Sequence, residues 1–376
     1  MNGTTGFDGP APPGTINFGL GQPSADLLPL ELIRQASEAY FREAQPVELN
    51  YGDPPGDARF LNSLAAYLSD AYRAAVQADE LLVTGGSSQA LDLVSTLFAK
   101  PGDTIFVEEP SFFLAFQIFR DHGLNIVGIP VDGDGLNLER LQHELGQHQP
   151  AFVYTIPAYQ NPGGQTLSAK RRKKLVELSQ EHDFLIVADE VYQLLTYAGE
   201  PPLAFGTMIE SPTVISLGSF SKILAPGLRL GWIQTGDRLR QQLLAGGLVS
   251  SGGSINHYTS HIVRSAIDLG LLEEHVVDLR RSLASRARAM HAALQHHFSG
   301  LAQWSRPAGG YFFWLKFSDQ VNTTPLKAKA ASLESGFQPG ALFSSQGSLH
   351  NCLRLSFAHY DEESILQGIA RLRALF

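Results

Sequence analysis

In SFSKILAPGLRLGW, residues 219–232, a single lysine, Lys222, stands between a run that reads as a buried strand and a Pro-Gly turn. Lysine is almost never fully buried, so one set there is either a surface loop residue or a reactive amine. Asp189 ends the apolar run FLIVADE, where a bare carboxylate is unfavourable unless it is paired or hydrogen-bonded. Tyr192 follows it closely, and Asn161 sits in QNPGG. Ser87, Ser88 and Gln89 open a helix after two glycines, where free N–H groups and hydroxyls favour an anion. Singly, each has a plain reading: a cap, a turn, a surface lysine. Together they match the needs of pyridoxal phosphate (PLP), namely a lysine for a Schiff base, an acid for the ring nitrogen and a pocket for the phosphate.

Such residues must be held by a scaffold. Seven apolar runs, LLVTGG, TIFVEEP, NIVGIPV, AFVYTIP, FLIVADE, TVISLGS and LRLGWIQTG, predict strands separated mostly by helical segments. Alternation and continuous apolar character predict an α/β fold with a mainly parallel seven-stranded sheet covered on both faces. The candidate residues fall at the carboxyl ends of these strands, where open α/β sheets bind ligands. Past Gly253 the pattern changes to long helices over about 258–298, then the strands YFFWLKF and CLRLSFA with a helix between. The expected organisation is a flexible arm (1–15), a first part of a smaller α+β domain (16–50), a large PLP-binding domain (51–255) and the rest of the small domain (256–376).

Composition narrows the class. The formal net charge of -9 argues against a nucleic-acid binder, which usually presents a basic face. The basic run KRRKK, residues 170–174, is expected to be a solvated helix face. His291, His296 and His297 share a helical segment, but none of them pair at i, i+4, so no metal is expected there. Cys352 is the single cysteine, which excludes an intrachain disulfide and suits a reducing compartment. With no signal-like start and no apolar run of about 18 residues, a cytoplasmic location without membrane contact is expected.

The chain resembles a fold-type-I aminotransferase of class I/II. It is most similar to the branch holding 2-aminoadipate and kynurenine aminotransferases and the effector domains of MocR-type regulators. SFSKILAPGLRLGW carries the likeness most specifically, QNPGG and ADEVY support it, and it extends from INFGLGQPS to LRLSFA. The resemblance implies that Lys222 forms the Schiff base and that Asp189 pairs with the pyridinium nitrogen. It implies that Tyr192 and Asn161 bond the ring's phenolic oxygen, and that Phe112 stacks on the ring. Ser87, Ser88, Gln89, Ser219 and Arg229 would hold the phosphate, joined by Tyr51 of a neighbouring subunit in a homodimer. Arg354 would grip the substrate carboxylate beside Asn161 and the backbone of Gly21. Where the family usually has Tyr and Asn-Pro-Thr-Gly, this chain has Phe112 and Gly163.

The implied activity is transfer of an amino group from an L-amino acid to a 2-oxo acid through pyridoxamine phosphate. The alternative is another PLP reaction on the same fold: a lyase, decarboxylase, racemase or carbon–carbon bond-forming enzyme. A regulator-like sensing role is not expected, because only about 15 residues precede INFGLGQPS, short of the roughly 50 a small domain needs. Tyr159, Tyr311 and Phe312 are expected near the substrate, compatible with an aromatic or long aliphatic side chain.

Overall fold

All seven apolar runs become strands of one sheet. Its order is Leu81–Thr84, Gly231–Thr235, Val214–Ser219, Leu185–Asp189, Pro150–Thr155, Thr104–Glu109, Asn125–Asp132 and Gly135–Leu136. The computed structural model describes Pro12 and residues 14–376. The arm expected over 1–15 therefore lies almost wholly outside the described residues.

The last strand corrects the expected count of seven to eight. It is a two-residue return pairing Val131 with Leu136, too short to leave a periodic signal. The sheet is mainly parallel: four neighbouring pairs run parallel, while Gly231–Thr235 runs antiparallel to both its neighbours.

Most of these runs form strands covered on both faces; Asn125–Asp132, next to the edge strand, is mostly half-buried or exposed. Along Leu185–Asp189, Ile186 and Ala188 join one core cluster while Val187 joins the other. Phe152 and Val153 divide in the same way, as do Ile105 and Phe106. Successive side chains of a strand point to opposite faces, so each run feeds two cores.

A second, antiparallel sheet orders Ala302–Gln303, Phe312–Phe317, Cys352–Ser356 and Gln338–Pro339. The amino-terminal strand Ile16–Asn17 pairs in parallel with Ser335–Gly336, which ties the start of the chain to its last third. The helical region at 258–298 is two helices, His257–Asp268 and Leu271–Phe298, divided at Gly270 with φ +73°.

The helix Ala169–Glu181 carries KRRKK and corrects a second expectation. Lys170, Lys173 and Lys174 are exposed, but Arg172 is fully buried. Its guanidinium donates to the carbonyls of Leu167 (3.0 Å) and Pro157 (2.5 Å) and pairs with Glu190 at 3.5 Å. Glu190, also buried, accepts from the amides of Phe205 and Gly206 and from Ser216 Oγ. The charge count of the run could not show which residue turns inward.

Candidate active site

The carboxyl ends of the central strands converge with the start of the chain and the second sheet. Asp189, only 3% exposed, accepts at Oδ2 from the hydroxyl of Tyr154 (2.9 Å) on the neighbouring strand. Its Oδ1 is buried without a hydrogen-bond partner. Burial pushes the carboxyl up to about 6, partly opposed by the Tyr154 hydroxyl, the Val191 amide and Lys222.

Lys222 follows the strand Val214–Ser219. Its Nζ donates to the carbonyl of Gly21 at 2.9 Å. The amine lies 5.4 Å from the ring centre of Tyr311 and 5.9 Å from that of Tyr192. Burial lowers its pKa to about 8, the Arg354 charge pushes the same way, and Asp189 opposes both. A lysine that loses its proton near neutral pH can act as nucleophile and base.

Arg354 comes from the strand Cys352–Ser356. It donates to Asn161 Oδ1 (3.0 Å) and to the carbonyl of Gly19 (2.7 Å). Its guanidinium lies over the rings of Phe312 (4.3 Å) and Phe343 (5.0 Å). A Cβ at Gly21 would lie 3.5 Å from both the guanidinium and the Phe312 ring, an ordinary contact distance, which places Gly21 directly beside both groups. Tyr192 is buried, with its ring edge-on to Tyr311 (5.5 Å) and Phe312 (5.8 Å).

A third group gathers where the helix Ser87–Phe98 begins. Gly86 precedes it with φ +88°, a conformation that glycine adopts without strain. Arg229 reaches across to the carbonyl of Gly85 (3.2 Å) and lies 3.4 Å from Ser221 Oγ. Ser219 Oγ donates to Ser221 Oγ (3.0 Å) and accepts from the Ser221 amide (3.1 Å). Gln89 accepts from the Gly85 amide, and its buried Nε2 has no partner. A helix start, two hydroxyls and a guanidinium around a glycine turn form an anion cradle.

The expected residues thus meet in three connected groups. Phe112 caps the helix Phe113–Asp121, and its ring contact is with Phe113 (5.9 Å). Tyr51 stands apart from the cleft and is 89% exposed. Tyr311, expected to line the substrate, is fully buried and uses its hydroxyl on the Lys222 carbonyl (3.0 Å). Tyr159 bonds Thr196 through its hydroxyl.

Sequence reasoning missed Tyr154, whose only signal was a polar-tipped residue late in the strand beside Asp189's. Ser221 stood at a strand end without an assigned role. His257 and His261 are spaced i, i+4 and were overlooked; their Nε2 atoms lie 3.3 Å apart. No cluster of three or more metal-ligating groups occurs among the described residues.

The residues present fit PLP. An unpartnered buried carboxylate oxygen suits a ring N–H, the anion cradle suits a phosphate, and the lowered lysine suits its aldehyde.

Comparison with known proteins agrees. The family described as aminotransferase class I and II matches residues 13–372. An aromatic-amino-acid aminotransferase of Thermococcus litoralis is 33% identical, over 95% of this chain and 87% of its own length. A 2-aminoadipate transaminase of Thermus thermophilus is 33% identical, over 96% of this chain and 90% of its own. The crystal structure of a Pyrococcus horikoshii kynurenine aminotransferase, in complex with PMP, superposes with a TM-score of 0.89 at 31% identity, covering 96% and 90% of the two chains.

Proposed function

The chain belongs to the class I and II aminotransferases, and from this premise we propose how its own residues divide the work of PLP-dependent transamination. When bound, PLP supplies the electron sink that lets the substrate's Cα–H bond break as a proton. Lys222 would hold the cofactor through its amine, and the same Nζ, when free, would take the Cα proton. A pKa of about 8 leaves part of the amine neutral at working pH, as a base requires.

Asp189 keeps a proton on the ring nitrogen through the oxygen that Tyr154 leaves free. Ser87, Ser88, Gln89, Ser219 and Arg229 hold the phosphate. Tyr192 and Asn161 would bond the ring's phenolic oxygen, and Phe112 would stack on the ring. Arg354 binds the amino acid's carboxylate as a planar fork, its plane set by Phe312 and Phe343 and the bare backbone of Gly21 beside it.

The observation that carries this reading is the buried Asp189 with one oxygen unused, close enough to Lys222 for their charges to interact. Lys222→Ala should lose the borohydride-reducible cofactor adduct and turnover together; normal transamination by that variant would end the assignment. Stoichiometric amination of the cofactor by an amino acid, without added oxo acid, separates transamination from other PLP reactions. Aromatic amino acids and 2-aminoadipate come first in that screen, since relatives carry those names.

We further propose a homodimer in which Tyr51 reaches the neighbour's phosphate. Its support is an exposed apolar face: Val47 is 69%, Leu49 71% and Tyr51 89% exposed. Among the described residues no helix is long and apolar enough to cross a membrane, which accords with the proposed cytoplasmic location.

A further inference from the structure

We propose that Tyr311 is a positioning residue for Lys222, its hydroxyl pinning the lysine's main chain from the second sheet so that the amine is presented at a fixed place. Tyr311 immediately precedes the strand Phe312–Phe317, is fully buried, and donates to the Lys222 carbonyl at 3.0 Å. Its ring centre lies 5.4 Å from Lys222 Nζ, so one side chain touches the lysine at both ends.

The residue that does this must itself be fixed, and it is. The Tyr311 carbonyl accepts from the Phe357 amide (3.1 Å). Just before it, the Gly310 amide donates to Leu195 O (3.2 Å), and Ala308 O accepts from Tyr197 N and Ala198 N (both 3.0 Å). Gly310 has φ +70°, and a Cβ there would lie 2.7 Å from Tyr159 Cβ, so the segment packs closely against its neighbours.

The other hold on Lys222 is from Nζ to Gly21 O, at 2.9 Å. That bond must break when the amine reacts. The Tyr311 bond is to the main chain and can persist, keeping the freed amine near the carbon whose proton it takes. Small displacements of a base are costly in rate, because reaction needs near-contact geometry.

This inference rests on Lys222 being the reactive lysine, which the borohydride experiment tests separately. Tyr311→Phe removes only the hydroxyl. Tyr197→Phe is the control: it removes a comparable bond, from Tyr197 Oη to Gly309 O (3.1 Å), on the same segment but away from the lysine. Hydrogen exchange in the full chain without cofactor reads the Leu224 and Ala225 amides, which close the lysine turn onto Phe220 O. In Tyr311→Phe, exchange there should quicken by about three- to tenfold, as expected for one lost hydrogen bond, and should stay unchanged in Tyr197→Phe. With cofactor bound, Tyr311→Phe should lower kcat by about tenfold while KM for the amino acid stays within about twofold. Unchanged exchange in Tyr311→Phe, an equal rise in Tyr197→Phe, an unchanged kcat, or a raised KM at constant kcat would each overturn the proposal. The exchange result stands even if Lys222 proves not to react.

Discussion

Asp189 keeps one oxygen on Tyr154; the other, inside the protein, makes no well-formed hydrogen bond, although the Val191 amide lies near the carboxylate. That arrangement is unfavourable to the chain alone and useful only to a ligand that brings a donor. The folded carboxyl sits at about 6 against an ordinary 3.8, so its neutral form is favoured. The sign follows: stability from this group is full below about pH 4 and is lost as pH rises through about 6. Two pKa units correspond to on the order of 3 kcal/mol. Asp189→Asn removes the titration. Without cofactor, the variant's stability relative to the native chain should rise by about 2 kcal/mol between pH 4.5 and 7.5, the rest of the change falling below that window, measured by urea unfolding. Transamination by the same variant should fall by about a hundredfold or more, since the ring nitrogen loses its counter-charge. A stability difference that stays flat with pH would mean the carboxyl is not strained. Residue types at strand ends made Lys222 and Asp189 legible in the sequence. Tyr154 was not legible, because its contact depends on which strands are neighbours, and the pairing of Thr155 with Ala188 is set by tertiary packing.

At the level of elements, a buried ion pair ties a helix to the strand that carries the acid. Arg172, on the helix Ala169–Glu181, meets Glu190, the residue after Asp189, and both side chains are sealed from water. Burial raises the Glu190 pKa and lowers that of Arg172, so each depends on the other to stay charged. Arg172→Ala leaves the Glu190 carboxylate without its counter-ion and two carbonyls without their donor. The loss should be about 3–5 kcal/mol by denaturant unfolding, whereas the exposed Lys173→Ala should stay within about 0.5 kcal/mol. A small effect at Arg172 would show that Glu190 protonates instead. KRRKK looked uniform because charge counts carry no direction; only the helix's place on the sheet decides which side chain turns in. Long apolar runs announced their strands for the opposite reason, that burial on both faces forbids polar interruptions. The two-residue strand Gly135–Leu136 had no such constraint to leave in the sequence.

At the scale of the whole molecule, the surface near Tyr51 sets the last expectation. Val47, Leu49 and Tyr51 alternate in sequence and are largely exposed, although the role proposed for Tyr51 needs a phosphate to bind. Tyr51 has no part in the cradle formed by Gly85, Ser219, Ser221 and Arg229 of its own chain. The proposed homodimer would account for both, because a second copy seated there would cover the apolar side chains and bring a cradle to the tyrosine. The native protein should therefore sediment at twice the chain mass of 40.9 kDa. Leu49→Asp places a charge on a side chain that the single chain leaves exposed, so the fold should survive while the pair separates and the cofactor is held less tightly. Tyr51→Phe should stay dimeric and weaken cofactor affinity by about tenfold, the scale of one hydrogen bond to a charged group. If Leu49→Asp remains a dimer, the interface lies elsewhere. If it separates with cofactor affinity intact, each cradle is complete in one chain, and the proposed role of Tyr51 falls while the dimer stands.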